Sequence, residues 1–132
     1  TMKLRVEAVP VDVVRYRYPP LSAPLVGPAG IAIAGLQDLA AMKVAAISQR
    51  GLRRDFWDLY AICQHTLSLQ EVTELYLRRF GKAQADLYHV LRAMTYFDDA
   101  EKEPALPGGL SDERWSQIKR FFCEEAPKLL MP

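Results

Sequence analysis

The fold turns on Leu36-Gln-Asp-Leu-Ala-Ala-Met-Lys-Val-Ala-Ala-Ile47. This stretch is Ala-rich and carries Asp38 in its first turn, where a carboxylate favours the helix dipole. The spacing predicts a helix over 36–49. It is apolar all round except at Lys43, and such a helix is buried on most sides. Lys43 shares a stripe with Leu36, Leu39, Ala40 and Ile47. Everything downstream also reads as helix. Arg53 to Gln64 sets Phe56, Leu59, Tyr60 and Cys63 at helical spacing, and Gly51 interrupts or kinks the chain before it. Ser68 caps a third helix in a capping-box pattern with Glu71, and Gly81 stops it after Phe80. A fourth spans about 84–97, with Leu87, Val90, Leu91 and Met94 on one stripe. Ser111 caps a fifth, whose buried face is Trp115, Ile118, Phe121 and Phe122.

Upstream the pattern changes. Leu4, Val6 and Ala8 alternate with Arg5 and Glu7, and Val11 to Val14 continue as extended chain. Pro10 between them marks an edge, a bulge or a break. Ile31-Ala32-Ile33 reads as one more short strand. The expected fold is therefore α+β: a small β segment of two or three strands over 1–34, then a bundle of about five helices over 35–132. Two strands do not make a stable sheet alone. The chain reads as a piece of something larger, or as one that pairs through its unpaired strand edges, for instance as a homodimer.

At 132 residues the chain suits one domain. Lys and Arg number 17 and Asp and Glu 16, a balance that argues against coating nucleic acid by bulk charge. Cys63 and Cys123 lie far apart and match no zinc-ligand spacing with His65 and His89. Both sit among apolar neighbours and read as reduced core thiols. No apolar run approaches the roughly 18 residues that span a bilayer, and the N-terminus lacks a signal-peptide pattern. The cytoplasm is the expected location.

Three features could carry chemistry. Lys43 either snorkels along its own stem or is aimed at an anion such as a phosphate. Arg50-Gly-Leu-Arg-Arg-Asp-Phe-Trp-Asp58 would, on a continuous helix, line up Lys43, Arg50, Arg54 and Asp58 on one face, with Arg54–Asp58 as an i,i+4 pair and Asp55 beside Asp58. That face is either an ion-pair network or an anion-binding surface. Asp12, between Val11 and Val13, would share the apolar face of Leu4 and Val6 if the strand ran straight through. Either Pro10 resets the alternation, or the carboxylate is aimed into a site. The acids of Tyr96-Phe-Asp-Asp-Ala-Glu101 read as ending a helix against its dipole, which calls for compensation from Arg92, Lys102 or the Arg50–Arg54 region.

Taken in order, Val11-Asp-Val-Val-Arg-Tyr-Arg-Tyr-Pro19, Leu36 to Ile47, Arg50-Gly-Leu-Arg-Arg-Asp-Phe-Trp-Asp-Leu-Tyr60 and Tyr96 to Glu101 resemble the AbiEii/AbiGii-type nucleotidyltransferase toxins, of the polymerase-beta-like nucleotidyltransferase superfamily. The resemblance covers nearly the whole chain. It implies transfer of a nucleoside monophosphate from an NTP to an acceptor with Mg²⁺, an RNA acceptor and a cognate antitoxin protein being candidate partners. It implies that the 1–34 segment ends a nucleotidyltransferase core sheet. Asp12 would be the last carboxylate of the metal site, activating the acceptor hydroxyl or helping to hold a metal, Lys43 would reach the triphosphate, and Arg54, Asp55 and Asp58 would match the family's Arg-Asp-x-x-Asp signature, positioning the site and fixing the helical subdomain. The family's first motif, a Gly-rich turn followed by an Asp-x-Asp strand, is not in these residues. The expectation is thus a catalytically incomplete C-terminal part of such an enzyme. The alternative is a non-catalytic helical module that docks an antitoxin or RNA through Arg50, Arg53 and Arg54.

Overall fold

The structure, a computed structural model, describes residues 1–81 and 84–130. Its architecture is the expected mixed α+β: small antiparallel strands, then helices. Strands β1 (Met2–Val6) and β2 (Val9–Val13) form a hairpin. Its two-residue turn, Glu7 and Ala8, has φ of 49° and 69°, the left-handed geometry whose twist suits a tight hairpin. Such a turn closes on a hydrogen-bonded pair, here Val6 with Val9, so the next pair, Arg5 with Pro10, lies at a position that exchanges no ladder bonds. Pro10 therefore fits inside β2 without losing a ladder bond. Strands β3 (Leu25–Val26) and β4 (Ala32–Ile33) make a second, minimal ladder. The strand expected at Ile31–Ile33 is thus present, and its partner at Leu25–Val26 was not anticipated.

Helix α1 (Leu36–Gln49) has the bounds its composition predicts. It packs against α2 (Arg53–His65), α3 (Leu69–Arg79) and α4 (Gln84–Met94). Ala40, Val44 and Ile47 of α1 join Phe56, Leu59, Val72, Val90 and Met94 in one buried cluster. Each fully buried large side chain there is worth about 1.5–3 kcal/mol of transfer free energy. The third helix has the predicted reciprocal cap: Glu71 N donates to Ser68 Oγ at 3.0 Å, and Ser68 N to Glu71 Oε1 at 3.4 Å. A last long helix, α6 (Asp112–Glu125), follows a one-turn helix α5 (Asp98–Glu101) and brings Trp115, Ile118 and Phe122 into the same core. Phe56 is the hub, with Phe97 at 5.2 Å, Phe122 at 5.3 Å and Trp115 at 5.9 Å between ring centroids.

Gly51 interrupts the helix, as its position suggests: at φ 58° it ends α1, and both Arg50 N and Gly51 N donate to Ala46 O. Three expectations need correction. The fourth helix ends at Met94, not near 97. The acids at 98–101 begin a new turn instead of ending an old one, which places them favourably toward the dipole. Cys123 is exposed, because it lies on the outer side of α6, away from Ile118 and Phe122; Cys63 is partly buried, and both thiols are free.

Candidate functional site

Four of the residues singled out meet where α1 gives way to α2. Asp55 lies three residues into the chain after Leu52 and is 0% exposed. Arg50 grips it with both arms of its guanidinium, Nε to Oδ2 at 2.8 Å and Nη2 to Oδ1 at 2.7 Å. Leu52 N donates to the same Oδ2 at 3.2 Å, so the carboxylate also satisfies a free amide at the start of α2. Lys43 Nζ lies 3.8 Å from Asp55 Oδ1 and 2.7 Å from Asp58 Oδ2. Two cations and two carboxylates thus form a neutral cluster that reaches from full burial at Asp55 to half-exposure at Asp58. Burial pushes the Asp55 carboxyl up, but the Arg50 hydrogen bonds and charge, with Leu52 N and Lys43, outweigh it and hold the group below the usual carboxylate range. Arg50 is raised in turn, chiefly by its hydrogen bonds to Asp55.

The ammonium of Lys43 is neither lost in bulk water nor sealed in. Its side chain is 21% exposed, and its helix neighbours Ala40, Ala41 and Val44 are fully buried. The stem crosses the apolar layer and the amine surfaces beside Asp58. Toward the N-terminal end of the same stripe, Leu36 and Leu39 are 39% and 40% exposed, so this face of α1 is only partly covered.

The expected Arg54–Asp58 pair does not form. The break at Gly51 removes the continuous helix on which that face was drawn, and Asp58 turns to Lys43 across the α1–α2 junction instead. Arg54 is exposed and has no hydrogen bond or ion pair among the described residues. The basic cluster Arg50–Arg53–Arg54 is also mostly neutralised. Arg53 N donates to Glu103 Oε1 at 2.7 Å, and its guanidinium reaches Glu103 O at 3.2 Å and Glu101 Oε2 at 3.4 Å. Glu101 collects Lys119 at 2.7 Å and Trp115 Nε1 at 3.2 Å as well. That network meets the expectation only in part: Arg53 of the Arg50–Arg54 region reaches Glu101 and Lys102 lies 3.8 Å from Asp99, while Lys119 and Trp115 were not among the expected partners.

Asp12 stands apart from the cluster. The Glu7–Ala8 turn, not a bulge at Pro10, resets the alternation, so Asp12 lies opposite Lys3 on the polar face of the hairpin. It is exposed and has no hydrogen bond or ion pair among the described residues. The other face, Met2, Leu4, Val6, Val9 and Val13, is 44–59% exposed, an apolar sheet surface that no described residue covers. Among the described residues no group of three or more His, Cys, Asp or Glu side chains is placed to hold a metal ion. One exposed carboxylate does not make a Mg²⁺ site, which needs further carboxylate or phosphate oxygens in an octahedral shell.

One network was missed. Asp38, read only as a dipole partner, is 2% exposed and binds Leu21 N at 2.8 Å and Ser22 N at 3.3 Å, with Arg79 Nη1 at 2.9 Å from its Oδ1. Burial raises the Asp38 carboxyl, and the amides of Leu21 and Ser22, with Arg79, more than reverse it. Arg79 donates to Tyr18 O at 3.2 Å and lies 5.2 Å over the rings of both Tyr16 and Phe80. The 14–22 segment is thereby clipped to the start of α1 and the end of α3. A buried acid at one helix start and an arginine at another helix end leave no local spacing to read.

The geometry defines an α+β unit in which a helical body carries a lysine to the surface of a buried helix and a small hairpin presents one acid. The family model described as "Nucleotidyl transferase AbiEii toxin, Type IV TA system" matches residues 2–129. The chain belongs to this family. It is 30% identical over 132 residues to an uncharacterized protein of Aquifex aeolicus, aq_aa25, covering 98% of this chain and 62% of that one. The chain therefore spans less than two thirds of that relative's length. No solved structure matches it. Among the described residues no helix is long and apolar enough to cross a membrane.

Proposed function

We propose that this chain is the C-terminal part of a toxin–antitoxin nucleotidyltransferase that moves a nucleoside monophosphate from an NTP to an acceptor. In that reaction an acceptor hydroxyl oxygen bonds to the α-phosphorus, the bond from that phosphorus to the bridging oxygen breaks, and pyrophosphate leaves. Lys43 is the residue that meets the triphosphate. The observation that carries this reading is the state of its amine, held at 2.7 Å by a carboxylate that is itself half-exposed. A pair of that kind is worth about 0–1 kcal/mol. A polyphosphate, with several charges and stronger acceptors, can take the ammonium from Asp58 at small cost. Arg50 and Asp55 keep the α1–α2 junction fixed while it does so. Asp12 is the chain's own contribution to a Mg²⁺ site whose other donors lie outside these residues. The carboxylate partners of Arg50 and Arg53 weigh against the alternative, a basic module for RNA. The uncovered hairpin face and the family's toxin–antitoxin description favour a protein partner such as an antitoxin in addition to the nucleotide.

The test is equilibrium titration of the chain with NTP and Mg²⁺, beside Lys43→Gln and Arg54→Gln. The expected result is at least tenfold weaker NTP binding for Lys43→Gln, with an unchanged melting temperature and little effect of Arg54→Gln. NTP affinity indifferent to Lys43 would overturn the reading.

A further inference from the structure

A cleft of about 550 Å³ opens between the end of α1 and the C-terminal half of α4, away from the Lys43–Asp58 pair. Its size lies within the roughly 300–1,000 Å³ of small-molecule sites. Two aromatic side chains stand in its wall: Tyr88 is 55% and Tyr96 51% exposed. Two rings around one cleft offer flat surfaces to a flat ligand. Arg92, one turn after Tyr88, lies with its guanidinium carbon 5.9 Å from that ring's centroid. Beyond Met94 the chain continues in a tighter turn, Thr95 N to Arg92 O and Tyr96 N to Ala93 O at 3.2 Å each, which keeps Tyr96 beside Arg92.

Two guanidinium groups line the cleft, one of them already paired with Asp55. Arg92 has no ion pair among the described residues. Arg50, on the opposite wall, commits Nε and Nη2 to Asp55 and keeps Nη1 without a hydrogen-bond partner among the described residues. The cleft's own carboxylate, Asp99, sits 3.8 Å from Lys102. A bare inorganic anion has no use for the two tyrosines, and an apolar ligand has none for the two arginines. Stacking surfaces joined to a cationic wall are the combination that recognises a base carrying a phosphate.

We infer that the α1–α4 cleft binds a nucleotide, its base on Tyr88 and Tyr96 and its phosphate against Arg92 and the free edge of Arg50. This site shares Arg50 with the Lys43 cluster but includes neither Lys43 nor Asp58. A free mononucleotide and the end of an RNA strand present the same chemistry, and the assay separates them.

The chain is titrated by equilibrium dialysis with a nucleoside monophosphate, which lacks the triphosphate that Lys43 would need, with inorganic phosphate, and with an RNA octamer. Tyr88→Ala, Arg92→Ala and Lys43→Gln are compared, their folding checked by melting temperature; Tyr88 and Arg92 are both exposed, so these variants should fold. Saturable monophosphate binding is expected, weakened at least fivefold by Tyr88→Ala and by Arg92→Ala, and unaltered by Lys43→Gln. An octamer binding at least tenfold tighter assigns the site to an RNA end, and equal affinity assigns it to the free nucleotide; both support the inference. Phosphate binding as tightly as the nucleotide, no saturable binding, or indifference to both cleft substitutions would overturn it. Dependence on Lys43 alone would overturn it too, and would leave the reading of Lys43 intact.

Discussion

Replacing Asp55 by Ala removes a carboxylate that has no exposure and three hydrogen-bond donors at 2.7–3.2 Å. Hydrogen bonds to a charged group contribute about 1.5–3 kcal/mol each, and a lost N-terminal cap costs about 1 kcal/mol. The full sum does not apply, because Arg50 is 47% exposed and its guanidinium regains water once released. Lys43 also keeps Asp58. The net loss should be about 2–3 kcal/mol, which for a chain of this size lowers the melting temperature by roughly 8–12 °C. Asp55→Asn, which keeps the shape and one acceptor oxygen, should lose about half as much. Urea denaturation of Asp55→Ala, Arg50→Ala and the double variant measures the pair directly. The two substitutions should be less than additive by about 1–3 kcal/mol, since each already breaks the same contact. Strict additivity, or a loss under about 0.5 kcal/mol for Asp55→Ala, would refute the view that this pair fixes the α1–α2 junction.

Asp38→Ala should cost more, about 3–5 kcal/mol, because its partner Arg79 is only 6% exposed and would be left as a buried unpaired charge; calorimetric melting should rank it below Asp55→Ala. Stability should also respond to acid with a defined sign. Asp38, Asp55 and Glu101 are all held below their ordinary values, so their contributions are complete above about pH 5 and are lost as pH falls through the folded values, when the unfolded chain binds more protons. Urea midpoints should be flat from about pH 6 to 8 and fall below 5; a midpoint rising toward acid would contradict the geometry. Burial raises Tyr16 and Tyr76, so a second loss is expected as pH climbs past 10. Burial also pushes the Cys63 thiol up to about 12, whereas Cys123 is exposed. A thiol reagent at pH 8 should therefore label one cysteine of the native chain quickly, and Cys123→Ser should abolish that fast phase.

What could be read from the sequence was what short-range physics determines. The Ala-rich apolar run from Leu36 fixes α1, and Ser68 with Glu71 fixes the start of α3, because both signals lie within a turn or two of the element they specify. Trp115, Ile118 and Phe122 were legible as core for the same reason. The site was legible in composition but not in pairing. Lys43, Arg50, Asp55 and Asp58 do come together, yet the partner of Asp58 depends on a helix break whose angle no residue spacing encodes. Parity misled at Asp12: two left-handed residues, Glu7 and Ala8, moved the carboxylate to the opposite face from the one straight alternation gives.

The hairpin's closure also decides which surface is left open. Closing the hairpin at Glu7–Ala8 puts Asp12 beside Lys3 and gathers Met2, Leu4, Val6, Val9 and Val13 into an apolar face that nothing described covers. Leu36 and Leu39, on the same stripe as Lys43, are partly uncovered as well. The helical body, by contrast, is closed, with Phe56, Ile118 and Phe122 at 0% exposure. Closed and open surfaces are therefore divided between the helices and the hairpin. The ion pairs Asp38–Arg79 and Arg50–Asp55 fix the two ends of α1 within the helical body, while Lys43 lies on the partly uncovered stripe of α1 and Asp12 on the polar face of the hairpin, opposite the uncovered one. A chain built this way should fold on its own and leave the apolar hairpin face for another surface to cover.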